Sequence, residues 1–252
     1  MFLTFKKWTA LYLLTLLLLF VGFAAILWQG SAVNASKNLR LETAKELVLI
    51  IDPGHGGVDG GAVGADGTVE SQINLAIGLQ MEELAQLIGL DTRMTRREDV
   101  SIHDPEAQTI RAKKVSDLKN RAALINAVPG GVLVSLHQNS LPTAPGVRGA
   151  QVFYNGVPGS KELAEAVQAA LNDVLNASPK MPEQTGSGVY LMAHSEAPSI
   201  LVECGFLSNA EETALLNTQP HQTKLSLVIL TAALAHLMQP EAEMPPAVSE
   251  PK

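Results

Sequence analysis

The sequence has a single cysteine, Cys204, among its 252 residues. An intramolecular disulfide is therefore excluded, and the fold must rest on its buried core whatever the redox state of its compartment. Cys204 stands in the apolar run Ser199-Ile200-Leu201-Val202-Glu203-Cys204 and is expected to act as a small buried hydrophobe. Basic residues are also in short supply: 18 Lys and Arg against 25 Asp and Glu give a formal net charge of −7. Nucleic-acid binding needs a basic patch, so no nucleic-acid partner is expected. The one dense basic cluster, Arg111-Ala112-Lys113-Lys114, reads as a solvated face. No internal repeat is visible. What remains is a globular composition, 46% hydrophobic and 17% charged. Apart from the termini, roughly 200 residues can bury a full core without a metal staple. A metal ion in this chain would serve chemistry rather than folding.

The long hydrophobic run is confined to the N-terminus. Lys6 and Lys7 precede an uncharged, leucine-rich stretch from Trp8 to Trp28. At about 20 residues it matches a bilayer core, and tryptophans at both ends suit the interfaces. Residues 8–28 are expected to be a transmembrane anchor after a cytoplasmic segment 1–7. A cleaved signal peptide is the alternative, although its apolar stretch usually spans only about 7–15 residues. Residues 29–46 read as a linker, 47–239 as one domain, and 240–252, rich in Pro and Glu, as a disordered tail.

Within the domain, the apolar runs Leu47–Ile51, Val132–Leu136 and Ser199–Val202 read as buried strands, with further strands at Asp91–Thr95 and Ala150–Tyr154. Helical patterns cover Glu70–Ile88, Leu118–Ala127, Lys161–Asn176 and Lys224–Met238. In the first of these, Ile73, Ile77, Leu84 and Ile88 fall near one face. Residues 97–116 are polar and aperiodic and read as a loop. Alternating strands and helices predict an α/β sheet covered on both faces. The three buried strands end at His55, His137 and Glu203, and ligands of such sheets gather at the carboxyl ends of strands.

The candidate chemistry follows from that convergence. Catalytic zinc typically takes three protein ligands and leaves one position open, and His/His/Glu is a known set. His55 lies in the glycine loop Asp52-Pro53-Gly54-His55-Gly56-Gly57, and His137 ends a strand. His103, His221 and His236 read as solvated or helix-capping residues; His194 could line a cleft, with a surface role the plainer reading. Glu70 opens a helix, where an acidic side chain suits the helix dipole without any further role. Spacing alone does not establish a metal site. Asp52 either orients His55 or braces its turn. Asn139, Arg148 and Ser187 are candidate cleft positions, for which exposed polar surface is the simpler account.

The ordered motifs add a resemblance. Asp52-Pro53-Gly54-His55-Gly56-Gly57, Glu70-Ser71-Gln72-Ile73-Asn74-Leu75, Leu118–Asn126 with Arg121, Val134-Ser135-Leu136-His137-Gln138-Asn139-Ser140 and Leu201–Asn209 resemble the successive motifs of the zinc-dependent N-acetylmuramoyl-L-alanine amidases, the Amidase_3 family. The resemblance implies a mixed, mostly parallel six-stranded sheet flanked by helices. It implies one zinc ion held by His55, Glu70 and His137, with Glu203 as general acid/base. The substrate it implies is peptidoglycan, cut at the amide between N-acetylmuramic acid and L-alanine, with the domain on the outer side of the membrane. The single N-terminal apolar segment and the stretch Thr109–Arg121 are similar to the germination-specific, CwlD-type subgroup, which acts in forming muramic-δ-lactam in spore cortex. Gln138 and Cys204 depart from many relatives without touching the metal set. No wall-binding repeat and no occluding inserted helix are visible, so a protein partner, expression or location would control the site. The rival readings are a non-catalytic peptidoglycan-binding scaffold and a zinc peptidase acting within the stem peptide.

Overall fold

A computed structural model of the chain describes residues 47–238. The expected anchor at 8–28, the linker at 29–46 and the tail at 240–252 lie outside the described residues. Among those described, no helix is long and apolar enough to cross a membrane. The strands are β1 (Val48–Pro53), β2 (Asp91–Met94), β3 (Gly131–Asn139), β4 (Gln151–Tyr154), β5 (Glu183–Gln184) and β6 (Ser199–Phe206). The helices are α1 (Glu70–Leu87), α2 (Ile110–Asn126), α3 (Ser160–Val174), α4 (Tyr190–His194), α5 (Ala210–Leu216) and α6 (Gln219–Leu237). One six-stranded sheet runs in the order β2-β1-β3-β6-β4-β5. Its pairs are parallel except β4 with β6, which is antiparallel. This is the expected mixed, mostly parallel sheet.

Strand alternation divides the interior in two. Leu49, Ile51, Val132, Val134, Leu136, Ile200, Val202 and Cys204 point to one face, where they pack with Ile73, Ile77 and Met81 of α1, Leu163 and Val167 of α3, and Leu225 and Ile229 of α6. The intervening residues Ile50 and Leu133 face the other way and meet only a small cluster of Ala122, Ile125, Leu191 and Ala197 from α2, α4 and the loop beyond α4. Further along this second face the strands carry Asp52, Ser135, His137 and Glu203. The apolar layer supplies most of the burial; the thinner layer leaves room for polar chemistry.

Two expectations are corrected. α2 begins at Ile110, eight residues before the apolar pattern becomes readable, with Thr109 capping it by accepting from the Ala112 N–H at 3.1 Å. Its first turns are hard to read because α2 buries only Asp117, Arg121, Ala122 and Ile125. The buried stripe of α1 is Ile73, Ile77, Met81 and Ala85; Ile88 caps the helix and is 62% exposed.

A buried ionic network closes the carboxyl end of β1. Arg121, buried on α2, donates to Asp52 Oδ1 at 2.6 Å, to Asp117 Oδ2 at 2.8 Å, and to the carbonyls of Pro53 at 2.9 Å and His55 at 2.6 Å. Thr95 and Ser135 donate to the two oxygens of Asp52 at 2.6 and 2.7 Å. Burial opposes ionisation of Asp52, but Arg121 and these hydroxyls outweigh it and hold the carboxyl at about 2. Asp52 therefore braces the turn; its carboxylate bonds to Arg121, Thr95 and Ser135.

Removing one partner of such a pair strands the other charge in the interior. Arg121→Met should lower stability by about 3–5 kcal/mol, and adding Asp52→Asn should restore part of it; both are read by urea unfolding. Equal unfolding midpoints for Arg121→Met and the wild type would show that the network carries no stability. The pH dependence follows from the sign of the Asp52 shift. A carboxyl lowered from 3.8 to about 2 stabilises the fold above pH 3.8 and loses that contribution as pH falls through about 2. Unfolding midpoints between about pH 4 and pH 2 should therefore drop more steeply for the wild type than for Asp52→Asn; parallel curves would refute this.

Candidate metal and acid-base site

The glycine loop after β1 turns sharply because its backbone requires it. Gly56 and Gly57 adopt positive φ (134° and 59°), and so does His55 at 62°, a conformation uncommon for a residue with a side chain. Two guanidiniums hold this loop. Arg121 grips the carbonyls of Pro53 and His55. Arg96, just beyond β2, donates to the carbonyls of Pro53 at 2.8 Å, Gly54 at 3.1 Å and Ser71 at 2.8 Å. Burial and the neighbouring Arg121 lower Arg96 to about 10, so it remains a cation at neutral pH. Gly54 has a separate reason to be glycine: a Cβ there would collide with the His137 ring.

Three side chains from three elements then converge: His55 from the loop, Glu70 from the first turn of α1 and His137 near the end of β3. Glu70 Oε1 lies 3.2 Å from His55 Nε2 and 3.0 Å from His137 Nδ1. One donor atom from each of the three falls within 4.8 Å of the others. The two imidazoles meet edge to face with centroids 5.0 Å apart. Glu70 is buried; its Oε2 accepts from the Ala62 N–H at 2.8 Å, and its Oε1 from the Gln138 N–H at 3.1 Å and the Asn74 amide at 3.3 Å. Burial opposes its ionisation, but bonds to His137 and His55 prevail and hold its pKa well below the usual carboxylate range. Two neutral nitrogens and one carboxylate oxygen suit a borderline divalent ion such as zinc.

The orienting partner of His55 is Asp59, whose Oδ2 lies 3.0 Å from Nδ1. A proton on Nδ1 shared with this carboxylate leaves Nε2 free to act as a ligand. Lys114 in turn places its ammonium 3.0 Å from Asp59 Oδ1, so the end of the basic cluster reaches into the site. Asn74 donates to both Glu70 and the Gly54 carbonyl, and Gln138 donates to Asn74 Oδ1 at 3.1 Å.

Glu203 is the register partner of His137 across the parallel pair β3–β6. Neighbouring strands lie about 4.8 Å apart, so the two side chains emerge side by side on the polar face. Glu203 Oε2 is buried and has no hydrogen-bond partner among the described residues. Burial pushes its carboxyl up to about 7, near the value a proton-transfer group needs at neutral pH. The adjacent Cys204 faces the apolar layer, where burial raises its thiol pKa and keeps it un-ionised. A cleft of about 190 Å³ opens from His55 and His137 between α2 and α4, lined also by Lys114, Leu118, Arg121 and Tyr190.

The remaining candidates lie elsewhere. Arg148 pairs with Glu211 at 3.1 Å on the surface, Ser187 lines a separate groove, and Asn139 accepts from the Ser140 N–H beside a register shift in β3. His103 bonds Ser101, and exposed His194 stacks on Tyr190 with centroids 3.9 Å apart. Asp59, Arg96 and Asn74 were missed from sequence. The i,i+4 spacings of His55 to Asp59 and Glu70 to Asn74 could have signalled two of them. Nothing local signals Arg96, whose partners are distant carbonyls.

Residues 49–235 match the Amidase_3 family, described as N-acetylmuramoyl-L-alanine amidase. The chain belongs to this family of peptidoglycan-cleaving hydrolases and is an enzyme of that class. Among individual relatives, it is 30% identical over 234 residues to the germination-specific N-acetylmuramoyl-L-alanine amidase of Bacillus subtilis, covering 92% of this chain and 95% of that one. It is also similar to the CwlD amidase of Clostridioides difficile, solved in complex with the GerS lipoprotein, with a TM-score of 0.71 and 35% identity over 76% of this chain and 98% of that chain. The amidase AmiC2 of Nostoc punctiforme gives a TM-score of 0.66 and 26% identity, covering 78% and 99%.

Asp59→Asn should weaken zinc binding about 10–100-fold, measured by competition with a chromogenic chelator. Undiminished affinity would exclude Asp59 as an orienting partner.

Proposed function

We propose that the chain hydrolyses the amide between the lactyl group of N-acetylmuramic acid and L-alanine, with zinc held by His55, Glu70 and His137 and proton transfer carried by Glu203. The observation that carries this reading is the pairing of a converging His/Glu/His donor set with a carboxylate one strand away whose buried Oε2 has no hydrogen-bond partner among the described residues. When bound, zinc acts as a Lewis acid toward the scissile carbonyl and makes water acidic enough to attack near neutral pH. Glu203 Oε2 takes a proton from the attacking water and returns it to the alanine nitrogen as the C–N bond breaks. Asp59 holds His55 in the ligating tautomer, and the Ala62 and Gln138 N–H groups fix the Glu70 carboxylate. The peptide side of the substrate lies along the cleft between α2 and α4.

The N-terminal sequence and the relatives support the following setting. Residues 8–28 tether the enzyme as a single-pass anchor, residues 29–46 link it to the catalytic domain 47–239, and the domain works on the wall side. The germination-specific relative supports a role in spore cortex, where removal of the stem peptide precedes muramic-δ-lactam formation. The CwlD–GerS complex supports a lipoprotein partner at the same membrane surface.

The test digests purified peptidoglycan with the full-length chain in detergent and zinc, and reads the products by mass spectrometry. Free stem peptides with an L-alanine amino terminus are expected, with the rate falling about 100-fold or more for Glu203→Gln. Cuts inside the stem would make the chain a peptidase. Zinc-loaded protein that binds peptidoglycan without cutting it would make it a scaffold.

A further inference from the structure

The cleft between α2 and α4 holds two cations with different commitments. Arg121 is committed to the interior: its nitrogens donate to Asp117, Asp52, Thr95 and the carbonyls of Pro53 and His55, and its side chain is 2% exposed. Lys114 is not. Its ammonium carries three donors, its partner among the described residues is Asp59 Oδ1 at 3.0 Å, and its side chain is 47% exposed. The acids of the cleft are engaged as well, Asp52 and Asp117 by Arg121 and Asp59 by His55 and Lys114. Of the two cations, Lys114 is the one whose charge is exposed to the cleft.

Its position relative to the chemistry is also defined. The Asp59 carboxylate and the His55 ring, in series, separate the ammonium from the donor atom Nε2. An extended peptide advances about 3.3–3.6 Å per residue, so a group on the second residue beyond the scissile carbonyl sits about 7 Å from it, farther along the cleft whose wall carries Lys114. In peptidoglycan stems the residue after L-alanine is a γ-linked glutamate, whose α-carboxyl is free in some walls and amidated in others. A free carboxylate there would meet an ammonium with unused protons as an ion pair; the amide would offer the same ammonium only a neutral carbonyl acceptor and lose the opposite charge.

We propose that Lys114 is a specificity-determining residue that receives the free α-carboxylate of the second stem residue, so that the cleft selects acidic stems over amidated ones. This rests on the amidase reading above. A purely structural Lys114, bracing Asp59, would affect both kinds of stem equally, so the ratio between them separates the two roles.

The test uses the full-length chain in detergent with zinc and two synthetic N-acetylmuramoyl peptides that differ only in a free or amidated α-carboxyl at the second residue. For the wild type, kcat/KM should favour the acid by about tenfold, mainly through KM. Lys114→Met should bring the ratio close to one, and Lys114→Arg should keep most of it, with thermal melting measured for each. A wild type that cuts both peptides equally, or a Lys114→Met enzyme that keeps the full preference, overturns the inference while leaving the amidase reading intact. Failure of the wild type to cut either peptide overturns the amidase reading, and the inference falls with it.

Discussion

A buried guanidinium does not release its proton, so the protein must surround Arg121 with oxygen. Most of the site's order follows from that constraint. The oxygens come from the β1 strand end, the glycine loop and α2's own Asp117. Meeting them at once fixes α2 against β1 and holds the His55 backbone in its positive-φ conformation. Arg96 repeats the device from the side of β2, and together the two cations bind the carbonyls of Pro53, Gly54 and His55 in succession. A lysine could supply the charge at either position but not the planar fork that reaches several acceptors. The loop that presents His55 is thus held from beneath by ionic bonds rather than by apolar packing.

The sheet separates durability from reactivity. One face, packed by α1, α3 and α6, is apolar across its width and carries the bulk of the hydrophobic stabilisation. The other has a small apolar cluster under α2 and α4 and then becomes polar. Desolvating carboxylates there costs free energy, and each is compensated differently. Asp52 is ion-paired, Glu70 sits between imidazoles and backbone N–H groups, and Glu203, with an oxygen left unpaired, has its proton affinity raised. Three acids from β1, the start of α1 and β6 therefore occupy three distinct electrostatic states.

Much of this was legible in the sequence. His55, His137 and Glu203 each follow a short β-branched or leucine-rich run, and strand ends converge in an α/β sheet. The α/β class was legible for the same reason, whereas the mixed six-stranded sheet was an implication of the resemblance alone. Glu70 was not distinguishable from an ordinary helix-start acid on its own residues; only the resemblance singled it out. The first two turns of α2 were hidden because they bury almost nothing, and with them the reach of Lys114 into the cleft. Arg96 falls between the expected strand Asp91–Thr95 and the polar stretch 97–116 and drew no reading, since its partners are backbone carbonyls, which leave no trace in side-chain patterning.

The spacing between Glu203 and His137 is set by the ladder of backbone hydrogen bonds joining β3 to β6, not by either connecting loop. The rigid spacer is common to all parallel sheets and independent of which side chains surround the mouth. Loops there can lengthen, shorten or change composition over evolutionary time while the reactive pair stays in alignment. Such an arrangement lets the walls of the site vary while the spacing of Glu203 and His137 is kept.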